Sequence, residues 1–271
     1  MRRLASSIAL VSLALTACSG GTDGITIVVS SPGTIGIGPQ RVLLAVLDEE
    51  TNEPRQTPDV ETTAVFQLGD EEVGRVPARW VWAIEPIRGF HAVTFDFPAP
   101  GTYTVHLETE TSTSPAQLLV IADVAVVEVG EAALRSATPT YPAFPLEAIS
   151  TDPAPDASFY SLSIADALVS GRPTVIVFAT PAFCSSAVCG PTLDMVKAAA
   201  PSHPGANFIH VEVFENLESP EALTIAPSVV DWGLPTEPWV FVADSAGVVT
   251  ARFEGALGLA ELERALADLG V

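Results

Sequence analysis

The stretch FATPAFCSSAVCGPTLDMV, residues 178–196, contains two of the three cysteines of the chain, Cys184 and Cys189. The apolar, β-branched run TVIVFAT that leads into it is typical of a strand covered on both faces, and the run that follows is helical. In a regular helix, residues five apart have Cα atoms ~8.6 Å apart, beyond the ~7 Å that a disulfide can span. If the two cysteines bond, Cys184 must therefore lie in a loop and the helix must begin near Cys189.

The residues around the pair favour this arrangement. Pro181 ends the strand, and Ser185 and Ser186 are typical of turns and helix caps. Pro191 suits the first turn of a helix, where its missing N–H costs little. We therefore expect Cys189 at or near a helix N-terminus, where free N–H groups and the helix dipole stabilise a negatively charged sulfur.

The third cysteine, Cys18, follows a basic start and an apolar stretch over residues 4–15. This order is typical of a secretory signal and is too short for a stable membrane span. The sequence Leu-Thr-Ala-Cys at 15–18 resembles the lipobox of bacterial lipoproteins. The resemblance implies a signal peptide over residues 1–17 and a lipid on Cys18, with residues 18–24 as a tether to the membrane. An ordinary signal peptide with a stray cysteine is the alternative.

Export and charge restrict the chemistry and the partners. Outside the cytosol thiols are not kept reduced by glutathione, so the two remaining cysteines can form a disulfide. The formal net charge is −21, which argues against binding to nucleic acid or to anionic lipid headgroups. We expect a protein on the extracytoplasmic face of the cell membrane.

Residues 25–128 contain short strand-like runs between turn signals, without a long amphipathic helix. The segment PAPGTYTV, residues 98–105, resembles the tyrosine corner of immunoglobulin-like domains, with Tyr103 opening a late strand. The sequence therefore predicts an all-β immunoglobulin-like sandwich. A proline-rich segment over residues 129–158 follows, and it indicates a semi-rigid linker or a surface wrap.

Residues 159–271 alternate between helical and strand periods and end in a hairpin and an amphipathic helix, which predicts an α/β sheet with an antiparallel edge. This order, with the cysteine pair between the first central strand and the next helix, resembles thioredoxin. The segment PWVFVADSAG, residues 238–247, resembles TlpA-like membrane-tethered thioredoxins. The resemblance implies that Pro238 follows a cis peptide bond and faces the disulfide, with Pro235 as the alternative.

The chain departs from the thioredoxin pattern in two ways. The pair is Cys-x4-Cys, and Thr192 stands where the CGP register at 189–191 would place a second cysteine. The central strand carries no carboxylate, so Glu212 in HVEVF is the only candidate proton relay, unless it points to water. Thioredoxin order makes Cys184 the attacking sulfur, which we favour, whereas the CGP register would choose Cys189.

We expect a membrane-anchored thiol–disulfide oxidoreductase that uses Cys184, Cys189 and Pro238, needs no cofactor or metal, and acts on thiols or disulfides of exported proteins. A disulfide closing so short a loop stabilises little, which disfavours a permanent staple. The alternative from another class is a non-catalytic binding or scaffold lipoprotein whose disulfide is only structural.

Two further activities fit less well. A peroxiredoxin needs Pro-x-x-x-Thr-x-x-Cys, but counting back from Cys189 gives Ser186 and Ala182 at the Thr and Pro positions. A copper carrier needs a placed histidine, and neither His203 nor His210 lies in a ligand-like motif.

Overall fold

The computed structural model describes residues 25–30, 35–108 and 115–271. The predicted signal peptide at 1–17, the lipid site Cys18 and the tether at 18–24 lie outside these residues. In the part of the chain that is described, no helix has the length and apolar character needed to cross a membrane.

Seven antiparallel strands form one large sheet in the order β1-β2-β5-β4-β3-β6-β7. They are β1 (Ile25–Val29), β2 (Gly38–Asp48), β3 (Thr62–Leu68), β4 (Glu71–Ile84), β5 (Arg88–Phe97), β6 (Gly101–Glu108) and β7 (Ala116–Val120). A parallel bridge joins Ile35, which lies before β2, to Val120 at the end of β7. The sheet is therefore curved and nearly barrel-like.

The long strand β4 explains why the seven strands are continuous. Its first half pairs with β3 and its second half pairs with β5, so β4 joins the strands β3, β6 and β7 to the strands β1, β2 and β5. Side chains alternate in and out along β6, where Tyr103, Val105 and Leu107 are buried. The hydroxyl of Tyr103 donates to the carbonyl of Ala99 at 2.7 Å, the contact that a tyrosine corner makes.

The second half of the chain contains a four-stranded sheet in the order β13-β12-β8-β9 and a short β10-β11 pair. The strands are β8 (Thr174–Ala179), β9 (Asn207–Glu212), β10 (Phe214–Glu215), β11 (Thr224–Ile225), β12 (Trp239–Ala243) and β13 (Val249–Glu254). Strands β8 and β9 are parallel, and β12 is antiparallel to both β8 and β13.

Helices cover both faces of this sheet. They are α1 (Leu146–Ile149), α2 (Ile164–Leu168), α3 (Cys189–Ala199), α4 (Pro227–Asp231) and α5 (Leu259–Ala267), with 3₁₀ turns at Ala157–Tyr160, Ala200–Ser202 and Pro220–Ala222. Helices α2 and α4 pack with Phe178, Trp232 and Phe241 on one face. Helices α3 and α5 pack with Leu193 and Leu262 on the other. Strands β8, β9 and β12 are buried throughout, as the apolar run at β8 predicts.

The segment predicted as a linker is bonded to this sheet. The N–H of Gly130 donates to the carbonyl of Val249, and the N–H of Val249 donates to Glu131, so residues 130–133 run along the start of β13. Part of the proline-rich segment therefore covers an edge strand, which would otherwise expose unpaired backbone groups.

The two sheets meet near the loop between β8 and α3, residues 180–188, which contains Cys184 and is called the cysteine loop below. Side chains of β2, β4 and β5 pack against Val188, just before α3, and Ala256, just after β13. Arg88 at the start of β5 also donates from its guanidinium to the carbonyl of Ser186 at 2.9 Å. The large sheet is therefore in direct contact with the loop that carries the cysteines.

Candidate active site

A disulfide joins Cys184 to Cys189, whose Cα atoms are 6.0 Å apart. Cys184 lies in the loop between β8 and α3, and Cys189 is the first residue of α3. This confirms the prediction that a bonded pair needs a loop followed by a helix start. Ala187 between them has a φ of 58°, in the left-handed region that side chains other than glycine rarely adopt, and it reverses the chain.

The two sulfurs have different surroundings. Cys189 is fully buried against the core, whereas Cys184 is only partly buried. The backbone N–H of Cys189 donates to Sγ of Cys184 at 3.3 Å, and the hydroxyl of Ser186 lies 3.2 Å from the same sulfur. We expected the helix N-terminus to favour the sulfur of Cys189, but its first N–H faces Cys184. The sulfur of the less buried cysteine is therefore also the one that backbone and hydroxyl donors can stabilise as a thiolate.

The peptide bond between Glu237 and Pro238 is cis, as the resemblance to thioredoxins implies, and the bond before Pro235 is not. Pro238 begins the turn into β12, where its carbonyl accepts from the N–H of Gly255 at 2.9 Å. Because β12 is the central neighbour of β8, this segment lies beside the loop that follows β8.

Glu237 places a carboxylate next to the disulfide. One of its oxygens and the two Sγ atoms of Cys184 and Cys189 all lie within 4.8 Å of one another. Burial raises the pKa of Glu237, and the N–H of Ser185 acts in the opposite direction. A carboxyl group of raised pKa beside two sulfurs can carry protons during thiol chemistry.

Sequence reasoning missed Glu237 and chose Glu212. The only available signal was that Glu237 directly precedes the proline that the resemblance places beside the disulfide. Its proximity to Cys184 depends on the pairing of β12 with β8, which the sequence does not specify.

Glu212 lies at the end of β9 and is buried, so it does not point to water. One carboxylate oxygen accepts from the N–H and the hydroxyl of Thr151, at 2.8 and 2.7 Å, and the other accepts from the N–H of Val213. Oγ1 of Thr151 accepts in turn from the N–H of Ala182 at 3.2 Å, and Ala182 lies in the cysteine loop. Glu212 is therefore connected to that loop through Thr151, while Glu237 is the carboxylate beside the sulfurs.

A buried polar chain fixes the end of β8. Nε2 of His210 donates to the carbonyl of Ala179 at 3.0 Å, and the hydroxyl of Tyr160 lies 2.6 Å from Nδ1. The hydroxyl of Ser150 lies 2.7 Å from that of Tyr160. Burial lowers the pKa of His210 and raises that of Tyr160, so both side chains are neutral near pH 7.

A groove of about 410 Å³ opens between the cysteine loop and the large sheet. The cysteine loop and the segment before β12 form one side, and β1, β2 and β5 form the other. Its lining includes Val29, Leu43, Arg88, Ser185, Ser186 and Glu237.

No family model matches this chain, and a search of curated proteins found no match. Among solved structures, a secreted Mycobacterium tuberculosis disulfide oxidoreductase homologous to E. coli DsbE is 16% identical, with a TM-score of 0.32 over 40% of this chain and 88% of that one.

Two other solved structures show a similarly distant likeness. The PKD domain of the human receptor SorCS2 is 12% identical, with a TM-score of 0.22 over 44% of this chain and 96% of that one. The E. coli adhesin FdeC is 12% identical, with a TM-score of 0.27 over 38% of this chain and 33% of that one. These TM-scores are too low to decide fold or activity, so the strand order and the geometry around Cys184 have to support any assignment.

Proposed function

We propose that this protein is a membrane-anchored, extracytoplasmic thiol–disulfide oxidoreductase that acts through Cys184 and Cys189. The observation that carries the proposal is the asymmetry of the disulfide. Sγ of the partly buried Cys184 receives hydrogen bonds that stabilise a thiolate, and Cys189 is fully buried. A purely structural disulfide requires no such difference between its sulfurs. In an exchange reaction, by contrast, the attacking sulfur must be stabilised as a thiolate, and the resolving sulfur can stay buried until the mixed disulfide forms.

The domain organisation belongs to the same proposal. Residues 159–271 would form a thioredoxin-like domain, supported by the parallel β8–β9 pair, the antiparallel β12 and β13, and the helices on both faces. Residues 25–128 would form an immunoglobulin-like sandwich, supported by antiparallel pairing and by the Tyr103 contact. Residues 129–158 would join the two as a surface wrap, supported by the pairing of residues 130–133 with the start of β13. Residues 1–17 would be the signal peptide, and Cys18 would carry the lipid.

The reaction proceeds by two exchanges when the pair starts reduced. The thiolate of Cys184 attacks one sulfur of a disulfide in an exported protein, forms a mixed disulfide and releases the other sulfur as a thiolate. The thiolate of Cys189 then attacks Sγ of Cys184, breaks the mixed disulfide and expels the second thiolate. The exported protein gains two electrons, and the Cys184–Cys189 disulfide forms.

When the pair starts oxidised, the same steps run in reverse. A thiolate of the exported protein attacks the accessible Sγ of Cys184, and Cys189 leaves as a thiolate that must acquire a proton. The carboxyl group of Glu237 is placed to donate that proton, and in the forward direction its carboxylate accepts one. The groove between the cysteine loop and the large sheet would hold the exported chain during both exchanges.

The proposal is tested by trapping the mixed disulfide. A Cys189→Ser variant keeps the attacking sulfur and lacks the resolving one, so exported proteins should accumulate on Cys184 as adducts that dissociate on reduction. A Cys184→Ser variant is the matched control and should trap far less, because Cys189 is buried. Non-reducing electrophoresis and mass spectrometry measure both. If neither variant forms adducts, the disulfide is a staple and the scaffold alternative holds.

A further inference from the structure

The grouping of Cys184, Cys189 and Glu237 has a second chemical use. It places two sulfur atoms and one carboxylate oxygen, with at most 4.8 Å between any two of them, at the edge of a groove. Sequence analysis expected no metal, because no histidine stands at ligand spacing from the pair. The third potential ligand comes instead from the segment before β12, far along the chain.

Reduction of the disulfide brings the three atoms close to the geometry of a metal site. Two thiolates on one zinc ion are about 3.8 Å apart and a thiolate and a carboxylate oxygen are about 3.5 Å apart, given bonds of about 2.3 and 2.0 Å in a tetrahedron. The sulfurs must separate once their bond is broken, and the carboxylate is already within 4.8 Å of both. Movements of about 1 Å would therefore complete the site.

A hydrogen bond already orients one of these ligands. The N–H of Cys189 donates to Sγ of Cys184 at 3.3 Å. Such an outer contact fixes the direction of the ligand atom and strengthens binding. Two thiolates with one carboxylate form a borderline donor set that suits Zn²⁺ and is harder than the all-sulfur sets that favour Cu⁺.

We propose that the reduced protein binds one Zn²⁺ through Cys184, Cys189 and Glu237, with water as the fourth ligand. The inference rests on the proposed function in one respect, namely that the disulfide can be reduced. A dithiol supplies two electrons and two protons to give two thiols, and Zn²⁺ then displaces those protons. The bound ion occupies both sulfurs, so it blocks attack on a disulfide, and oxidation of the pair releases it.

Titration of the purified protein with Co²⁺ and Zn²⁺ tests the site directly. The protein is reduced with a dithiol, freed of reductant without oxygen and titrated with Co²⁺, whose thiolate charge-transfer absorption reports sulfur ligation. We expect one Co²⁺ per reduced chain, displacement by one Zn²⁺, and no absorption with the oxidised chain. Absence of the band in the reduced protein would overturn the proposal.

The third ligand is tested by Glu237→Gln, which should weaken Zn²⁺ binding at least about tenfold. Glu221→Gln, at an exposed glutamate in the turn Pro220–Ala222, is the matched control and should bind as the natural chain does. Circular dichroism of the oxidised variants verifies that both fold. Equal affinity in the Glu237→Gln variant and the natural chain would overturn the assignment of the carboxylate.

The exchange assay in a chelator separates this inference from the proposed function. Exchange without any metal binding would overturn the zinc site and leave the oxidoreductase intact. Metal binding by a reduced protein that forms no adducts would support the zinc site and contradict the oxidoreductase.

Discussion

Cys184 and Cys189 share one disulfide, yet they differ in access and hydrogen bonding. The difference arises because the chain enters the helix at Cys189, which buries that side chain and leaves its N–H directed at the sulfur of Cys184. Sequence reasoning favoured Cys184 as the attacking sulfur by likeness alone, and the geometry supplies a physical reason for it.

A second residue, His91, makes a prediction about pH. It is buried in β5, with Nε2 2.9 Å from the hydroxyl of Thr57 and no hydrogen-bond partner for Nδ1 among the described residues. Burial lowers its pKa from 6.5 to about 4. Between these values the unfolded chain takes up a proton that the folded chain excludes, so stability falls as the pH drops from 6.5 towards 4.

The expected loss from His91 is on the order of 3 kcal/mol at pH 4, with no further loss from this residue below that pH. Denaturant unfolding at pH 7, 5 and 4 measures it, and His91→Gln should flatten this part of the dependence. The matched control is His106→Gln at the partly exposed His106 in β6, which should retain the slope. An unchanged slope in His91→Gln would contradict the account.

At the scale of elements, the sequence predicted local features well. The end of β8 at Ala179, two residues before Pro181, and the start of α3 at Cys189 follow from proline chemistry and from the reach of a disulfide, which act over a few residues. The burial of β8 on both faces followed from its unbroken apolar run.

Long-range pairings could not be predicted in the same way. The sequence does not reveal that β4 continues from β3 to β5, or that β12 brings Glu237 to the cysteine loop. Both depend on which strands pair, and turn signals do not specify this. Glu212 could be named as a candidate from its own strand, whereas the position of Glu237 beside the sulfurs depends on this pairing.

The polar chain at the end of β8 gives a prediction at this scale. Tyr160→Phe removes the hydroxyl that pairs with Nδ1 of buried His210, so it should cost about 1–3 kcal/mol of unfolding free energy. Tyr141→Phe is the control, because Tyr141 is 44% exposed, and it should change stability little. Equal stability of the two variants would show that the hydrogen bonds of Tyr160 and His210 do not anchor β8.

At the scale of the whole molecule, Arg41 forms one of the contacts that join the large sheet to the four-stranded sheet and its helices. Nε and an Nη of Arg41 in β2 donate to the two carboxylate oxygens of Glu261 in α5, both at 2.8 Å. Its guanidinium also donates to the carbonyls of Glu254 and Ala256. The side chains of the pair are only 9% and 16% exposed.

Arg41→Ala should therefore destabilise the protein by about 1–3 kcal/mol, since it leaves the half-buried carboxylate of Glu261 without its cation. Arg75→Ala is the matched control, because the ion pairs of Arg75 with Glu72 and Glu108 are exposed and should contribute little. Thermal unfolding at constant pH compares them. A loss in Arg41→Ala no larger than in the control would mean that the contact does not hold the two halves together.

The central claim is that the Cys184–Cys189 disulfide turns over, and its reduction potential tests this most directly. The purified protein is equilibrated with dithiol buffers of graded potential, and the free thiols are trapped and counted. The account predicts a potential above about −300 mV, within reach of cellular redox partners. A potential below about −300 mV, together with no adducts in Cys189→Ser, would identify a structural staple and contradict the account.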